Sequence, residues 1–456
     1  MKHISFCILA LLLIFSCKKE SDSDKQINPV SDFSFNIDTT KYPTFFVNFT
    51  NKSKDADKYL WDFGDGNSSS EANPIHKYTA AKEYTVKLTS YNKENLNVKS
   101  LNLTIKNIKL QSAELIALQT ITIKSIKASS NTTVFDHIAF PDIARLGDGR
   151  FIVVFRQGTQ HDQYGKGRIM KSFGSADGLN WTEPEILYDD PNYDDRDFSI
   201  NRLSDSRLAG SFFKHGTNET SICFSSDEGQ SWSEPKGYNN LGGWSYPSTQ
   251  IVEIGDELWL ATYGKSSNTA KYPKSRVIMY KSSDKGSNWT AEMIAPDNFL
   301  GYDLQEPAII LLSNNRILMH TRVATGAAPY GLGNMVQCYS NDLGKTWTKW
   351  QSFDFVGHAP ELYKIENGVV ISAFRWITAD ATQTKTALIY SIDEGNKWSD
   401  LVTVSLSDAE CGYPSIESLG NNKFIVVFYQ TVNDGLDMYY QIKAQIYQCN
   451  ATFSEL

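Results

Sequence analysis

Roughly the last three hundred residues of the chain repeat one pattern of hydrophobic and polar positions. In the stretch from Glu306 to Arg322, an apolar run, a polar turn and a second apolar run lie between two ionisable residues. Five other stretches share this layout, and they begin at Pro141, Arg196, Tyr246, Pro360 and Tyr413. The six stretches recur at intervals of roughly 50–60 residues. A period near fifty that is sustained along a chain predicts a series of repeated supersecondary units.

A second signature, an Asp-rich turn followed by Trp, lies between consecutive repeats. The five turns begin at Ser175, Ser225, Ser282, Ser340 and Ser391. The last four read S-x-D-x-G-x-x-W, and the first is one residue shorter. Asp and Gly suit a tight turn because the carboxylate can accept hydrogen bonds from nearby backbone N–H groups while Gly adopts positive φ. The Trp ring can hold the turn against its sheet.

These turns are the Asp-boxes of the sialidase (neuraminidase) superfamily, so residues from about 118 to 456 resemble a six-bladed sialidase β-propeller. The resemblance implies an all-β fold. An apolar–polar alternation at residues 118–127 precedes the first repeat, and one more strand, near residues 438–448, follows the last repeat. We predict that these two strands pair, because the pairing completes the sixth blade and removes open sheet edges. The predicted propeller domain spans residues 108–456.

The chain begins with a segment typical of an export signal. Lys2 and His3 precede an apolar run from Ile4 to Phe15, which is too short to cross a membrane as a stable helix. Cys17 follows a small serine, as in a lipoprotein cleavage site, so we expect residues 1–17 to be a lipoprotein signal peptide and Cys17 to be lipidated. An ordinary secretory signal cut nearby is the alternative. Residues 18–28 are polar and charged without an apolar period, which predicts a linker.

These features predict a cell-envelope lipoprotein, at the outer membrane or the cell surface, that contacts the membrane only through a lipid anchor. The 44 basic and 52 acidic residues give a net charge of −8, which argues against a nucleic-acid partner. Four cysteines remain in the body of the mature chain: Cys223, Cys338, Cys411 and Cys449. We interpret all four as buried thiols without disulfides or metal-ligand spacing, and we expect neither a metal nor a cofactor.

Residues 29–107 form the first predicted domain. Short alternating runs separated by turn residues are typical of a small β-sandwich. The WDFGDG sequence at residues 61–66, together with Pro74, His76 and Tyr78, is similar to the signatures of the PKD domain family. The resemblance implies an immunoglobulin-like β-sandwich that serves as a spacer or interaction module. We interpret His76 as a structural residue, because Gly64 and Gly66 around Asp65 describe a hairpin turn and not a catalytic loop.

Equivalent positions of the repeats predict where the chemistry lies, because the innermost strands of a propeller all face its central channel. The residues at the start of the repeats are Phe140, Arg196, Tyr246, Glu306, Ala359 and Tyr413. At the other end of the repeats, Arg156, Arg322 and Arg375 each lie 15 residues after the repeat's proline. Guanidinium groups that converge on one pocket repel each other unless an anion lies between them, and their forked donors suit a carboxylate. We therefore predict a pocket for an acidic sugar or another anion.

Tyr413 and Glu306 are the candidate nucleophile and base. A phenol has a free pKa of ~10 and needs a carboxylate within hydrogen-bond reach to take its proton. A neutral nucleophile suits a negatively charged substrate, and glycosidases of the sialidase type use tyrosine. The reaction also needs an acid for the leaving oxygen. Asp162 and His161, in the polar loop after Arg156, are the candidates, with Asp162 preferred over His161.

The family pattern implies the same roles position by position. It matches Glu306 as base partner, Tyr413 as nucleophile and Asp162 as acid/base. Among the arginines, Arg322 and Arg375 match two of three carboxylate-binding arginines, and Arg156 matches a pocket arginine. The sequence departs from the family at Ala139, where the first arginine of that triad is expected. Arg196 or His137 is the candidate replacement, and Tyr246 is a further candidate for substrate contact.

The sequence thus predicts an exo-glycosidase of the sialidase type that acts on a glycan or glycoconjugate with a terminal anionic sugar, and α-linked sialic acid is the leading candidate. Two alternatives stay open. One keeps the fold but acts on another acidic sugar, such as a uronic acid, through an inverting mechanism with two carboxylates. The other is a glycan-binding propeller without catalysis.

Overall fold

The computed structural model describes residues 27–456 except positions 94, 132, 162–165, 269, 272, 295, 297–300, 326–331, 379–381 and 408–409. Strands dominate this part of the chain; besides them, its helical elements are two 3-10 turns, Thr39–Lys41 and Ser313–Asn315. The predicted all-β class is confirmed. Among the described residues, no helix is long and apolar enough to cross a membrane. The predicted lipidation site Cys17 and the predicted acid Asp162 lie outside the described residues.

The chain divides into two compact units: the first ends at Asn107 and also includes Glu455–Leu456, and the second is Ile108–Ser454. In the first unit, one sheet has the order β1-β2-β5 and the other has the order β4-β3-β6-β7. Their strands are β1 (Phe33–Asp38), β2 (Phe45–Asn51), β3 (Lys58–Asp62), β4 (Ser68–Ser69), β5 (Ile75–Tyr78), β6 (Glu83–Asn92) and β7 (Asn95–Thr104). Alternate side chains of β6 are buried, so the polar–apolar alternation of the sequence becomes a half-buried sheet.

The core of this first unit is aromatic, and Trp61, Phe49 and Phe33 lie at its centre. His76 stacks on Phe63 with ring centroids 4.0 Å apart, and its Nε2 lies 2.8 Å from Asp65 Oδ2. An imidazole that is stacked on one side and bonded to a carboxylate has a structural role, as predicted from the sequence.

The second unit consists of six antiparallel sheets in chain order. Sheet one holds β9 (His137–Arg145), β10 (Phe151–Gly158), β11 (Gly167–Gly174) and β12 (Glu185–Tyr188); sheet two holds β13 (Asp195–Arg202), β14 (Leu208–Lys214), β15 (Thr220–Ser225) and β16 (Lys236–Tyr238). Sheet three holds β17 (Trp244–Pro247), β18 (Val252–Ile254), β19 (Glu257–Lys265), β20 (Arg276–Ser282) and β21 (Thr290–Ile294). Its innermost strand is thus divided in two.

The remaining three sheets continue the series. Sheet four holds β22 (Asp303–Leu311), β23 (Ile317–Ala324), β24 (Leu332–Ser340) and β25 (Gln351–Ser352); sheet five holds β26 (Val356–Lys364), β27 (Val370–Ile377), β28 (Thr384–Ser391) and β29 (Val402–Leu406). Sheet six holds β30 (Cys411–Gly420), β31 (Lys423–Asn433), β32 (Met438–Glu455) and, as its outer strand, β8 (Ile108–Lys127). The pairing of β8 with β32 confirms that the strand before the first repeat completes the sixth sheet.

Hydrophobic packing joins the six sheets in a cycle. Each sheet shares one or two clusters of buried apolar side chains with the next, from sheet one to sheet six. A further cluster joins sheet six to sheet one, where Ile425 and Val427 pack with Ile143 and Val153. Each large apolar side chain that is fully buried contributes about 1.5–3 kcal/mol, so these interfaces are the main source of cohesion. The cyclic order supports the six-bladed propeller that the sequence indicates.

The predicted turns form between the third and fourth strands of the sheets. In the last four, the Ser Oγ donates to the Asp carboxylate two residues on and accepts from the N–H of the Gly four residues on. These glycines have positive φ, for example +77° at Gly344, which explains the residue type. Trp289 packs in the cluster between sheets two and three and bonds to Gly286 O at 3.1 Å. All four cysteines are free and buried, as predicted.

Candidate active site

A backbone bulge recurs at the same register in the innermost strand of five sheets. Each bulge places one residue in the left-handed region, with φ between 46° and 56°: Phe140, Asp197, Glu306, Ala359 and Tyr413. The ladder skips this residue and the next one, which is proline in four of the five sheets. Proline is tolerated there because a bulge forms no ladder hydrogen bond at that N–H. A bulge re-aims a side chain, and a left-handed non-glycine residue costs about 1–3 kcal/mol, so such strain is concentrated at functional sites.

These bulges correct the predicted equivalence in sheet two. The sequence comparison equated Arg196 with Glu306 and Tyr413, but the skipped residue is Asp197, and Arg196 occupies the register position of Ala139. Sheet two has Phe198 where the other five repeats have proline, so it lacks the marker used for alignment. Tyr246, in sheet three, has no left-handed bulge; its ring stacks on Phe213 at 4.2 Å.

The bulges bring Tyr413 and Glu306 together. Tyr413 Oη donates to Glu306 Oε1 at 2.6 Å, although the two residues are 107 positions apart in the chain. Arg322 Nη1 donates to the same carboxylate oxygen at 2.9 Å, and the Ala359 N–H donates to Oε2 at 2.9 Å. The predicted nucleophile and base are therefore in direct contact, and the carboxylate is fixed at both oxygens.

Electrostatics keep this pair as a neutral phenol and a charged carboxylate. Burial alone would raise the pKa of Glu306, but Arg322, the Tyr413 hydroxyl and Arg375 outweigh burial and lower that pKa to about 2. Burial, and then the Glu306 charge, raise the pKa of Tyr413 well above its ordinary value. The proton thus stays on Tyr413 in the free protein.

Three arginines share one register position, as their spacing predicted. Arg156 lies opposite Ala139, Arg322 opposite Gln305 and Arg375 opposite His358. They differ in exposure, however. The side chain of Arg156 is completely buried, with Nε donating to Asp194 Oδ1 at 2.7 Å and Nη1 donating to the Gln160 carbonyl at 2.9 Å. Arg156 therefore holds the start of the loop that follows β10 and does not face open solvent.

Arg375 lies directly beside the nucleophile. Its Cζ is 4.9 Å from the centre of the Tyr413 ring, and its Nε donates to the Cys411 carbonyl at 2.6 Å. Its Nη2 donates to Tyr429 Oη and lies 3.8 Å from Glu410 Oε1. Arg375 can reach a ligand over the Tyr413 ring, but it already has partners within the protein.

Arg196 lies near the position that Ala139 leaves without charge. Its Cζ is 5.2 Å from the centre of the Phe140 ring, and Phe140 in turn lies 4.7 Å from Tyr413, measured between ring centroids. Its Nη1 donates to Asp194 Oδ2 at 3.2 Å. Burial lowers the pKa of Arg196, but Asp197 and Asp194 outweigh that effect and raise it, so the guanidinium stays charged.

The sequence reasoning did not identify Glu410 and Tyr429. Tyr429 is the sixth-sheet counterpart of the three register-matched arginines, because it pairs with the residue before the Tyr413 bulge. Its hydroxyl donates to Glu410 Oε1 at 2.8 Å. The predicted acid candidate His161 lies here too, with Nδ1 2.5 Å from the same oxygen, and His137 Nε2 lies 3.5 Å from Oε2. The register of Tyr429 could have been found from the repeat. Glu410 could have been found in the same way, because it lies three residues before the Tyr413 bulge, as Asp194 lies three residues before the Asp197 bulge.

The pocket is close to electrically balanced. Burial would raise the pKa of Glu410, but His137, His161 and Arg375 outweigh burial and hold it well below its usual range, so this carboxylate is charged. Each of the four arginines has a carboxylate beside it: Asp194 for Arg156 and for Arg196, Glu306 for Arg322, and Glu410 for Arg375. The repulsion argument for a bound anion is thus weaker than the sequence suggested, because protein carboxylates already separate the guanidinium groups.

Comparisons with known proteins agree with this architecture. Residues 27–106 match the model of the PKD domain, and residues 208–426 match the model of the BNR repeat-like domain. The chain contains a PKD domain and a BNR repeat-like domain. In addition, 75 residues, 15% of this chain, are 37% identical to collagenase ColA of Clostridium perfringens, but they span only 7% of that enzyme.

Solved structures resemble the fold at low sequence identity. A Dyadobacter fermentans protein of unknown function has a TM-score of 0.59 at 18% identity, over 73% of this chain and 99% of its own. A Hadza microbial sialidase has a TM-score of 0.52 at 11% identity, over 91% of this chain and 92% of its own. The α-L-arabinofuranosidase of Fusarium graminearum has a TM-score of 0.54 at 13% identity, over 72% of this chain and 97% of its own. At these identities, the likeness shows only that this chain has a similar fold. It does not show that this chain shares a substrate with any of these proteins.

Proposed function

We propose that the BNR repeat-like domain is a retaining exo-glycosidase of the sialidase type that removes a terminal anionic sugar, α-linked sialic acid, from glycans. The observation that carries the proposal is the 2.6 Å hydrogen bond from Tyr413 Oη to Glu306 Oε1. A half-buried phenol bonded to a buried carboxylate, each at a strained bulge, has the arrangement of a nucleophile and its base. The similarity of fold to a microbial sialidase agrees with it.

The proposed reaction has two steps. Tyr413 Oη bonds to the anomeric carbon as its proton passes to Glu306, the bond to the leaving oxygen breaks, and an acid protonates that oxygen. Water then attacks the glycosyl–tyrosine, the former acid takes a proton from this water, and Glu306 returns the proton to Tyr413. Asp162 is the preferred acid from the sequence, and His161, at the edge of the pocket with a side chain 43% exposed, is its rival.

The proposed recognition of the substrate carboxylate falls to Arg322 and Arg375, with Arg196 in place of the arginine that is missing at Ala139. Arg196 lies against the Phe140 ring, which contacts Tyr413, and Arg375 lies against the Tyr413 ring itself. A carboxylate bound there has to compete with Glu306, Asp194 and Glu410 for the guanidinium groups. We therefore expect a weaker grip on the substrate than three free arginines would give.

One observation favours a second candidate, a glycosidase for a neutral sugar. Three protein carboxylates lie beside the four guanidinium groups, and Ala139 offers no charge. A balanced pocket does not require an anionic ligand, and the arabinofuranosidase shares the fold. On a neutral sugar, the uncharged Tyr413 has no electrostatic advantage over a charged nucleophile, because the substrate carries no carboxylate that would repel one.

A panel of aryl glycosides tests both candidates. The purified protein is assayed with the α-sialoside, a uronide and the α-L-arabinofuranoside, each also with Tyr413→Phe as the matched variant. Release of the aryl group from the α-sialoside alone, lost in the variant, supports the first proposal. Release from the arabinofuranoside alone supports the second, and binding of glycans without any release leaves the glycan-binding alternative.

A further inference from the structure

We propose that His137, His161 and Glu410 form a binding site for a divalent transition-metal ion, with Zn²⁺ as the best match. Their donor atoms all lie within 4.8 Å of one another. The three residues come from distant parts of the chain: His137 begins β9, His161 lies in the loop after β10, and Glu410 immediately precedes β30. Because no two of them are close in sequence, the spacing of residues along the chain could not reveal this group.

The contacts within the group are short but poorly satisfied. His161 Nδ1 lies 2.5 Å from Glu410 Oε1, a contact shorter than an ordinary N–H···O hydrogen bond. His137 Nε2 lies 3.5 Å from Glu410 Oε2, and His137 Nδ1 is buried without a hydrogen-bond partner. Buried polar atoms without partners call for an explanation, and an ion held between converging lone pairs is one. The donor atoms of the three side chains thus lie together, and one ring nitrogen of the buried His137 has no partner.

The donor set selects the class of ion. Two imidazole nitrogens and one carboxylate oxygen suit Zn²⁺, Co²⁺ or Ni²⁺, whereas Ca²⁺ and Mg²⁺ prefer oxygen ligands alone. Three protein ligands are the number found in sites that keep a fourth position open. The side chain of His161 is 43% exposed and that of Glu410 is 24% exposed, so an ion can reach the group from solvent. The buried His137, with a side chain 2% exposed, supplies the fixed ligand.

The surroundings of Glu410 are compatible with an ion. Its Oε1 accepts from Tyr429 at 2.8 Å and lies 3.8 Å from Arg375 Nη2. A carboxylate has about four lone-pair positions, so Glu410 can keep the bond from Tyr429 and still bind a metal. Hydrogen bonds to a ligating carboxylate orient it and are typical of metal sites. The positive charge of Arg375 opposes a second cation, which predicts a moderate affinity.

A bound ion also bears on the proposed glycosidase, and this one consequence rests on that function. With an ion bound, one nitrogen of the His161 imidazole binds the metal, and Glu410 binds the same metal. This imidazole is then poorly placed to carry a proton to the leaving oxygen. The metal site therefore assigns the acid role to Asp162 and makes His161 a ligand.

Cobalt absorption and calorimetry test the site without any assay of activity. The full chain without an affinity tag is stripped with a chelator, titrated with Co²⁺ in the visible range, and then titrated with Zn²⁺ by calorimetry. We expect one ion per chain, with d–d bands that Zn²⁺ abolishes. His161→Ala and Glu410→Gln should each weaken binding by at least about 10-fold. His215→Ala, which changes a histidine outside the group, should bind like the wild type.

His161 lies in a loop and Glu410→Gln keeps the size of the side chain, so both variants should fold, and circular dichroism checks this. The absence of cobalt bands and of stoichiometric heat in the wild type would overturn the proposal and leave an imidazole–carboxylate contact without an ion. Binding by His161→Ala and Glu410→Gln as tight as that of His215→Ala would overturn it too, because the ion would then lie elsewhere.

Discussion

At the scale of single residues, the site depends on a few side chains that are held in strained backbone positions. Tyr413 has φ = 47° and Glu306 has φ = 50°, values that cost a non-glycine residue about 1–3 kcal/mol. The proline that follows each of them fits a position where the ladder skips two residues. At these two positions a residue–proline pair marks a bulge, and the bulges aim the phenol and the carboxylate at each other.

The first expectation concerns Tyr413→Phe. The change removes only the hydroxyl that donates to Glu306, so the fold should persist while kcat falls by about three orders of magnitude or more. Tyr447→Phe is the matched control, because Tyr447 is a buried phenol that packs between sheets five and six. Steady-state kinetics on the substrate found in the glycoside panel measure the effect. Near-native kcat in Tyr413→Phe would show that the tyrosine is not the nucleophile.

A second expectation concerns how Glu306 and Tyr413 act together. Glu306→Gln should lower kcat strongly, since an amide cannot accept the phenol proton, and the double variant should be hardly slower than either single variant. Residues that act as one unit give strongly non-additive effects. A double-mutant cycle on kcat measures the coupling. Additive losses would mean that the two residues serve separate steps.

Much of the residue-scale site could be predicted from the sequence. The period of the repeats placed Tyr413, Glu306, Arg322 and Arg375 in matching positions, and the structure brings these four together. Asp197 was missed because the alignment relied on proline, which sheet two lacks. Glu410 was missed because the comparison of the repeats did not include the position three residues before the bulge, which is acidic in sheets two, four and six. The contacts of Glu410 with Arg375 and His161 are revealed only by the fold.

At the scale of elements, the Asp-box turns connect the third strand of a sheet to the fourth strand. Ser340 Oγ donates to Asp342 Oδ1 at 2.7 Å and accepts from the buried Gly344 N–H at 2.7 Å. The first turn, at Ser175, is one residue shorter and its bonds are exposed to solvent. The turn that is one residue shorter in the sequence is therefore the one whose serine bonds are exposed.

The third expectation follows from that difference. Ser340→Ala leaves a buried N–H without a partner, which costs about 1–3 kcal/mol. Ser175→Ala, the matched change in the shorter turn, should cost clearly less because water can replace its bonds. Urea unfolding of both variants measures the free energies of unfolding. Equal losses would contradict the role given to burial.

At the scale of the whole molecule, one carboxylate joins three sheets near the centre. Asp142 Oδ1, in sheet one, accepts a hydrogen bond from Ser415 Oγ of sheet six at 2.8 Å. It also accepts one at 2.8 Å from the Nε2 of Gln250, a residue that precedes β18 in sheet three. Burial raises the pKa of Asp142 to about 7, and the hydrogen bonds only partly oppose it. The same burial, together with Asp142, raises the pKa of the neighbouring Glu361 well above its usual range.

The fourth expectation is a dependence of stability on pH. The unfolded chain releases the Asp142 proton near pH 4 while the folded chain keeps it up to about pH 7, so stability falls as pH rises through this window. Asp142→Asn keeps an acceptor oxygen but has no charge. It should therefore gain stability relative to the wild type between about pH 4 and 7, by at most about 4 kcal/mol. Urea unfolding at several pH values measures the difference.

Asp400→Asn, in an exposed segment, is the control for that series. A constant difference between Asp142→Asn and the wild type across the whole pH range would contradict the raised pKa.

The fifth expectation concerns closure of the ring of sheets. A chain that starts at Val134 lacks β8, so it exposes the edge of β32 and uncovers the apolar clusters that Ile123 and Leu110 join. It should have a lower thermal midpoint or lower solubility than a chain that starts at Lys109. Equal midpoints and equal solubility would mean that β8 adds nothing to the sixth sheet. The sequence predicted this pairing because one strand was missing after the last repeat.

The central claim is that Tyr413 forms a covalent bond to the sugar, and mass spectrometry of a trapped intermediate tests it most directly. A fluorinated donor of the sugar identified in the glycoside panel slows the second step, so the glycosyl–enzyme should accumulate. We expect a mass increase of one fluoroglycosyl group, located by peptide mapping on Tyr413 and absent in Tyr413→Phe. A label on an aspartate or glutamate, or sustained turnover of the unmodified substrate with no label at all, would contradict the account.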